Sequence, residues 1–272
     1  MSSILVDQDR CTRCGICSVV CPVGIVTTAD STTLPRISVT NEGMCIRCGH
    51  CEVSCPSHAL MLDFEPDEME RIPEDAGIID PENLGYYMKT RRSVRHFRKD
   101  PVPKETITRI LDITRYAPSA GNGQPVRWIV VYDPARVQKI AGLTVEWMRT
   151  LLDSSHPLRE YIPVLISAFE HGRDVICRGA PHLLVSHIPA DNPVTTVDAT
   201  IAMTYFDTAA PAFGVGTCWA GFVAMAASSY GPLIREIGIP DGRRCGYVMM
   251  FGHPQYKIHG IPRRNRVEAE WK

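Results

Sequence analysis

Residues 11–22 read CTRCGICSVVCP and residues 45–56 read CIRCGHCEVSCP, so one cysteine run occurs twice at an offset of 34 residues. Both runs fit C-x2-C-x2-C-x3-C-P without deviation, and Arg13/Arg47, Gly15/Gly49 and Val19/Val53 repeat between the cysteines. Such a duplication predicts a pseudo-symmetric module of two similar halves. The spacing also specifies chemistry. A [4Fe–4S] cube needs four converging thiolates, and three closely spaced cysteines can wrap three of its corners from one loop. Zinc is the alternative, but zinc sites usually pair two short C-x2–4-C elements instead of four cysteines in one run. Gly15 and Gly49 let the loops fold tightly and present N–H groups to sulfide, while Pro22 and Pro56 turn the chain away after the fourth cysteine.

Residues 1 to about 62 resemble the bacterial two-cluster ferredoxins. In those proteins the fourth cysteine of each run reaches across to the other cluster. The resemblance therefore implies that Cys11, Cys14, Cys17 and Cys55 hold one cluster, and Cys45, Cys48, Cys51 and Cys21 the other. These are eight of eleven cysteines. Cys177, Cys218 and Cys245 lie in apolar surroundings and read as small core residues. No basic and apolar leader is visible in MSSILVDQDRC, so a reducing cytoplasm is expected, where cysteines in metal-type runs serve as ligands. The formal charge of -1 and pI of about 6.7 give no basic field for nucleic acid. No apolar run approaches the ~20 residues that span a bilayer.

From Asp63 to Glu82, nine Asp or Glu face one Arg among three prolines, which predicts an acidic linker. The domains expected are thus a two-cluster module at 1–62, a linker at 63–82 and a second domain at 83–272. Asp80-Pro81 is a good N-cap and first-turn pair for a helix through Leu84, Tyr87 and Met88. A helix over about 103–116 would carry Ile107, Ile110, Leu111 and Ile113 on one face. Trp128–Tyr132, Leu183–His187 and Tyr247–Phe251 read as core strands. Helices are expected over about 134–152, 161–176 and, rich in Ala and Met, 195–213. This predicts an α+β domain with a mixed sheet covered by helices, and an extended tail over 253–272. Gly121-Asn-Gly123 and Gly214-Val-Gly216 each start a G-x-G-x-x-G but lack its third glycine, which argues against a nicotinamide-binding Rossmann domain.

Three segments carry the chemistry of that domain. Arg91 to Phe97, RRSVRHF, offers adjacent arginines and a hydroxyl for a phosphate, or else a solvated basic helix end. Ala117 to Pro125, APSAGNGQP, lets backbone approach a flat ligand, or is an ordinary Gly/Pro loop. Gly214 to Phe222, GVGTCWAGF, suits a loop laid along a cofactor, or a helix C-cap beside a core tryptophan. In this order and spacing the three resemble the nitroreductase family of FMN flavoproteins over about residues 85–265.

That resemblance implies a three-layer α+β sandwich and an intertwined homodimer with FMN at the interface. Arg91, Arg92, Ser93 and Arg95 would hold the FMN phosphate and pyrimidine edge. Pro118, Ser119, Ala120 and Asn122 would reach the isoalloxazine from the other subunit. Trp219, Ala220 and Gly221 would run beside the flavin and point a backbone N–H at N5. Arg264, with Arg263 as the near alternative, would complete the phosphate site. Ala220 stands where many relatives carry an acidic residue, and Trp147, Tyr161 and Phe169 are candidates for a lid or for core. The function expected is a flavin-dependent oxidoreductase. Its clusters would take electrons from a ferredoxin-like donor or NAD(P)H, in an anaerobic setting, for a small acceptor such as a nitroaromatic, quinone, enone or halogenated aromatic. The alternative is a non-catalytic electron carrier or redox sensor acting on a protein partner.

Overall fold

The structure, a computed structural model, describes residues 4–30, 32–63, 71–73, 76–77 and 79–272. It divides into residues 1–78 with Gly121–Gly123, and residues 79–120 with 124–272. Half of the acidic stretch expected as a linker, residues 64–70, 74–75 and 78, lies outside the described residues.

In the first unit, β1 (Ile4–Val6) pairs antiparallel with β2 (Leu60–Leu62), Ile4 opposite Leu62. The repeated sequence between them folds as a repeated backbone. Arg13 and Arg47 adopt φ of 55° and 52°, Gly15 and Gly49 φ of 76° and 77°, and short helices α1 (Ile16–Val19) and α2 (His50–Val53) follow. Only glycine takes such angles without strain. Ile25, Val26, Ala59 and Leu60 form the small buried core.

The second unit opens with α3 (Pro81–Thr90), where the Asp80 side chain accepts from the Asn83 N–H. Next come α4 (Lys104–Thr114), β3 (Arg127–Val131), α5 (Pro134–Thr150), α6 (Ile162–Glu170), β4 (His182–Pro189) and α7 (Thr195–Ala209). The chain closes with β5 (Gly216–Trp219), α8 (Gly221–Ala226), α9 (Gly231–Ile237) and β6 (Arg243–Gly252). The sheet runs β3-β4-β6-β5. Side chains alternate across a strand, and both faces are buried. Leu183, Val185, Val248 and Met250 pack with α5, α6, α8 and α9, while Leu184, Met249 and Phe251 pack with α4 and α7. The result is the expected α+β sandwich of three layers.

Several expectations are corrected. The sheet is antiparallel at every paired strand, not mixed. Continuous apolar runs report burial on two faces, and helices cover both faces here whatever the strand direction. Ile113 is 43% exposed, off the face that buries Ile107 and Ile110. The helix expected to 176 stops at Glu170. Gly172 turns with φ of 78°, and the Asp174 carboxylate accepts from the Ile176, Cys177 and Gly179 N–H groups, which holds a turn instead. Trp147 is core, at 6% exposure, and Phe169 packs against the core, so of the lid candidates only Tyr161 faces solvent. Among the described residues, no helix is long and apolar enough to cross a membrane.

Candidate functional site

Two small cavities in the first unit are ringed by cysteine. Cys11, Cys14, Cys17 and Cys55 line one, and Cys21, Cys45, Cys48 and Cys51 line the other, each of about 20 Å³. Each cavity thus takes three cysteines from one run and the fourth from the other. Val6, Ile16 and Leu60 stand around the first, with Thr12, Arg13 and Ser57, and Val26, Ile37 and Leu62 around the second. Among the described residues, no group of three or more His, Cys, Asp or Glu is arranged for a single metal ion.

The fourth cysteines differ from the rest in their surroundings. Burial alone would raise Cys21, but the N–H groups of Ile25, Val23, Val26 and Gly24 outweigh it and bring the thiol below its ordinary value. Burial acts the same way on Cys55. It is offset by the Ala59 N–H, 3.3 Å from the sulfur, and by Ser57. Hydrogen bonds to a charged form favour that form. Cys51, more deeply placed, is pushed up to about 11 by burial and by Cys48.

In the second unit Arg91 and Arg92 leave the C-terminus of α3 and line a cleft of about 680 Å³ with Tyr87, Thr217 and the chain from Pro254 to Ile258. Val94 N–H donates to the Thr217 carbonyl at 2.8 Å, and Ser93 and Thr217 form a parallel bridge, so this segment is zipped onto β5. Arg91 Nη1 and Arg92 Nε are buried with no hydrogen-bond partner. Burial first, then the charges of Arg264 and Arg91, lowers the Arg92 pKa from its ordinary value. Arg264 therefore lies within electrostatic reach of this cleft; its own Nη1 donates to the Arg263 carbonyl. Arg95 is exposed, and its Nη1 donates to the Ser93 carbonyl at 3.4 Å.

The Pro118 segment lines a different cavity, of about 240 Å³, with Pro118, Ser119, Trp128 and Asp198 in its wall. Ser119 Oγ accepts from Gln124 N–H, and Ala120 N–H donates to buried Asp198 Oδ1, both at 3.0 Å. Asn122 groups with the first unit, at φ of 53°. One protomer therefore does not gather Pro118, Ser119 and Ala120 with Arg91 and Arg92 in one cavity.

The third segment is a strand, not a loop: β5 precedes α8, and Gly216 serves close packing. Ala220 N–H is used by the Val248 carbonyl at 2.9 Å. The first N–H groups of α8, that of Gly221 among them, have no intrahelical partner. Two residues passed over in the sequence organise this region. Asp207 of α7, 5% exposed, accepts from the Thr217 hydroxyl and, at 3.0 Å, from Trp219 Nε1. Tyr87 donates its hydroxyl to the Thr208 carbonyl at 2.5 Å and accepts from Ala212 N–H at 3.1 Å. A carboxylate within a helix rich in Ala and Met was the available signal for Asp207, as for Asp198, since buried carboxylates need partners.

A family model described as "Nitroreductase family" matches residues 88–253, more than half of the chain. The chain belongs to the nitroreductase family. Residues 10–60 match a 4Fe–4S dicluster domain. Among characterised relatives, the chain is 49% identical over 55 residues to a 5,6-dimethylbenzimidazole synthase of Rhodospirillum rubrum, covering 20% of this chain and 26% of that one. It is 30% identical over 135 residues to an iodotyrosine deiodinase of Haliscomenobacter hydrossis, covering 43% of this chain and 56% of that one. The chain thus spans about a quarter and about half of these two relatives. A crystal structure of a nitroreductase with bound FMN from Desulfitobacterium hafniense shares the fold at TM-score 0.54 and 22% identity, covering 67% of this chain and 97% of that one.

Proposed function

We propose that this nitroreductase-family chain is an FMN- and iron–sulfur-dependent oxidoreductase in which electrons enter at two [4Fe–4S] clusters and leave from the flavin to a small organic acceptor. The observation that carries the reading is the pair of buried donors in the cleft that make no hydrogen bond, Arg92 Nε and Arg91 Nη1, the latter held 3.5 Å from Asp207 by charge alone. Desolvated donors without partners are costly, and a phosphate accepts several charge-assisted hydrogen bonds. A phosphate end of FMN fits that demand. Ser93 and Arg95 follow in the same segment, and Arg264 adds a third cation.

The cysteine cavities support the other half. Four thiols around one cavity suit a cube of iron and sulfide, and we assign Cys11, Cys14, Cys17 and Cys55 to one cluster and Cys45, Cys48, Cys51 and Cys21 to the other. When bound, the clusters supply single electrons and the flavin accumulates a pair. The chain itself binds, orients and limits access. Gly221, at the start of α8, would present its amide to the ring, and Trp219 and Ala220 would form the wall beside it.

Pro118 and Ser119 line a cavity separate from Arg91 and Arg92, so we infer a homodimer in which one subunit's Pro118–Ala120 segment completes the other's flavin site. The tail from Ile258 leaves Ile258, Ile261, Val267 and Trp271 exposed on extended chain, and apolar side chains on extended backbone suit a second copy as cover. The acceptor is a nitroaromatic, quinone, enone or halogenated aromatic, and the likeness to an iodotyrosine deiodinase is a reason to test the last class first.

The deciding experiment is anaerobic. The purified protein is reduced with reduced ferredoxin and, separately, with NAD(P)H, then offered a panel of acceptors while flavin absorbance is followed. Rapid reoxidation by one acceptor class supports the enzyme. Slow reoxidation by all of them replaces it with an electron carrier, and a protein isolated without FMN ends the flavin reading.

A further inference from the structure

Asp207 is the buried carboxylate that stands behind Arg91 and β5 in the second unit. It sits near the C-terminal end of α7 and is 5% exposed. Its Oδ1 accepts from the Thr217 hydroxyl, its Oδ2 from Trp219 Nε1 at 3.0 Å, and Arg91 Nη1 lies 3.5 Å from Oδ2. Thr217 and Trp219 are two apart on β5, so both project from the same face of the strand. Arg91 comes from the end of α3. Three elements therefore meet on one side chain.

The Arg91 contact has a particular character. At 3.5 Å the guanidinium is held by charge, but Nη1 makes no hydrogen bond. The carboxylate thus fixes where the arginine stands without consuming its donor. A cation beside a buried carboxylate offsets part of its desolvation, and Arg91 is the cation beside this one. Trp219 is fixed on the other side by an edge-to-face contact with Tyr247, ring centres 4.7 Å apart.

We propose that Asp207 is a positioning residue of the flavin site, orienting Arg91 for the phosphate and Trp219 for the wall beside the ring. Its action through Arg91 rests on the FMN reading above. Binding of the phosphate and placement of β5 then depend on one side chain, which a residue acting only in the core would not produce.

The test uses the full-length protein with its clusters intact. FMN and riboflavin dissociation constants are measured by flavin fluorescence for wild type, Asp207→Asn, Arg91→Ala and the double variant, with iron content as the control. Asp207→Asn is expected to weaken FMN about tenfold and riboflavin much less. In the Arg91→Ala background it should change FMN affinity by less than about twofold, since contacting residues are not additive. Equal losses for FMN and riboflavin, or effects that multiply independently in the double variant, would overturn the proposal. Should Asp207→Asn fail to fold, Thr217→Val removes one donor to the same carboxylate and should lower the FMN-to-riboflavin preference; an unchanged preference sinks the idea. Wild type without FMN affinity would refute the flavin reading itself, a distinct outcome.

Discussion

Gly216 faces Val94 so closely that a methyl group on its Cα would lie 2.6 Å from Val94 Cγ2 and 2.9 Å from Pro254 Cγ. That approach lets the arginine segment lie along β5, where Val94 N–H reaches the Thr217 carbonyl. Replacing Gly216 with Ala must push the two apart, and overpacking of this kind costs about 1–3 kcal/mol. The expected outcome is a lower melting temperature with reduced flavin content and unchanged iron. A variant with wild-type melting and full flavin would show that the segment tolerates displacement.

The crossed cysteine sets make a sharper prediction. Wild type prepared anaerobically should hold about eight iron per chain. Cys55→Ala should disturb the cluster of the first run and Cys21→Ala that of the second, each leaving roughly half the iron. Combining Cys55→Ala with Cys14→Ala should cost no more iron than either alone, whereas Cys55→Ala with Cys48→Ala should remove both clusters. Iron, acid-labile sulfide and the electron paramagnetic resonance of the reduced protein decide it. The reverse pattern would assign Cys55 to its own run, and stoichiometric zinc without sulfide would remove the clusters altogether.

The features that sequence revealed are those that local chain can encode. Cysteine spacing and the Gly15/Gly49 repeat place a loop and a helix within a few residues, so the first unit was readable. The α3 cap at Asp80 and the arginines beyond Thr90 were visible for the same reason. What escaped is set by partners far apart in the chain. Asp207 meets Arg91 more than a hundred residues earlier, and no local pattern announces that pair. The apolar run of β4 declared burial on both faces but carried no information on the direction of its neighbours. Gly216 read as loop flexibility because its need arises from Val94, on a separate segment.

The buried histidines predict a dependence on pH. His182 accepts from Val102 N–H through Nε2 at 3.0 Å, while its Nδ1 lies 2.9 Å from the Tyr132 carbonyl, an arrangement that needs the neutral ring. Burial lowers its pKa below the ordinary 6.5, with His253 adding to the effect and the Tyr132 carbonyl opposing it. His187 is lowered too, by burial and by Arg243 and Arg127. As pH falls through 6.5 the unfolded chain takes up protons before the folded one does. Stability present above that value is therefore lost toward the lower, folded pKa. The melting temperature should drop between about pH 7.5 and about pH 5.5, and drop less steeply in His182→Gln. Parallel pH profiles for the two proteins would exclude His182 as a source.

The last prediction concerns the cations of the cleft. Arg92 is held at Nη2 by the Lys89 carbonyl and at the same time keeps a buried, unpartnered Nε, with the charges of Arg91 and Arg264 acting on it. Like charges gathered here repel, with Asp207 beside Arg91, so a bound phosphate should gain from each of them. Arg92→Ala should lower FMN occupancy with iron unchanged, and Arg264→Ala should act in the same direction. Arg263→Ala should have the smaller effect, because among the charges acting on Arg92 it is Arg264 that appears. FMN affinity should also weaken with added salt in wild type, and less so in Arg92→Ala, because screening acts on the charges that remain. Titrating FMN at two ionic strengths against these variants measures all of this. Riboflavin serves as the phosphate-free control. Unaltered FMN affinity in Arg92→Ala, or equal salt slopes for FMN and riboflavin, would show that the arginines do not serve the phosphate.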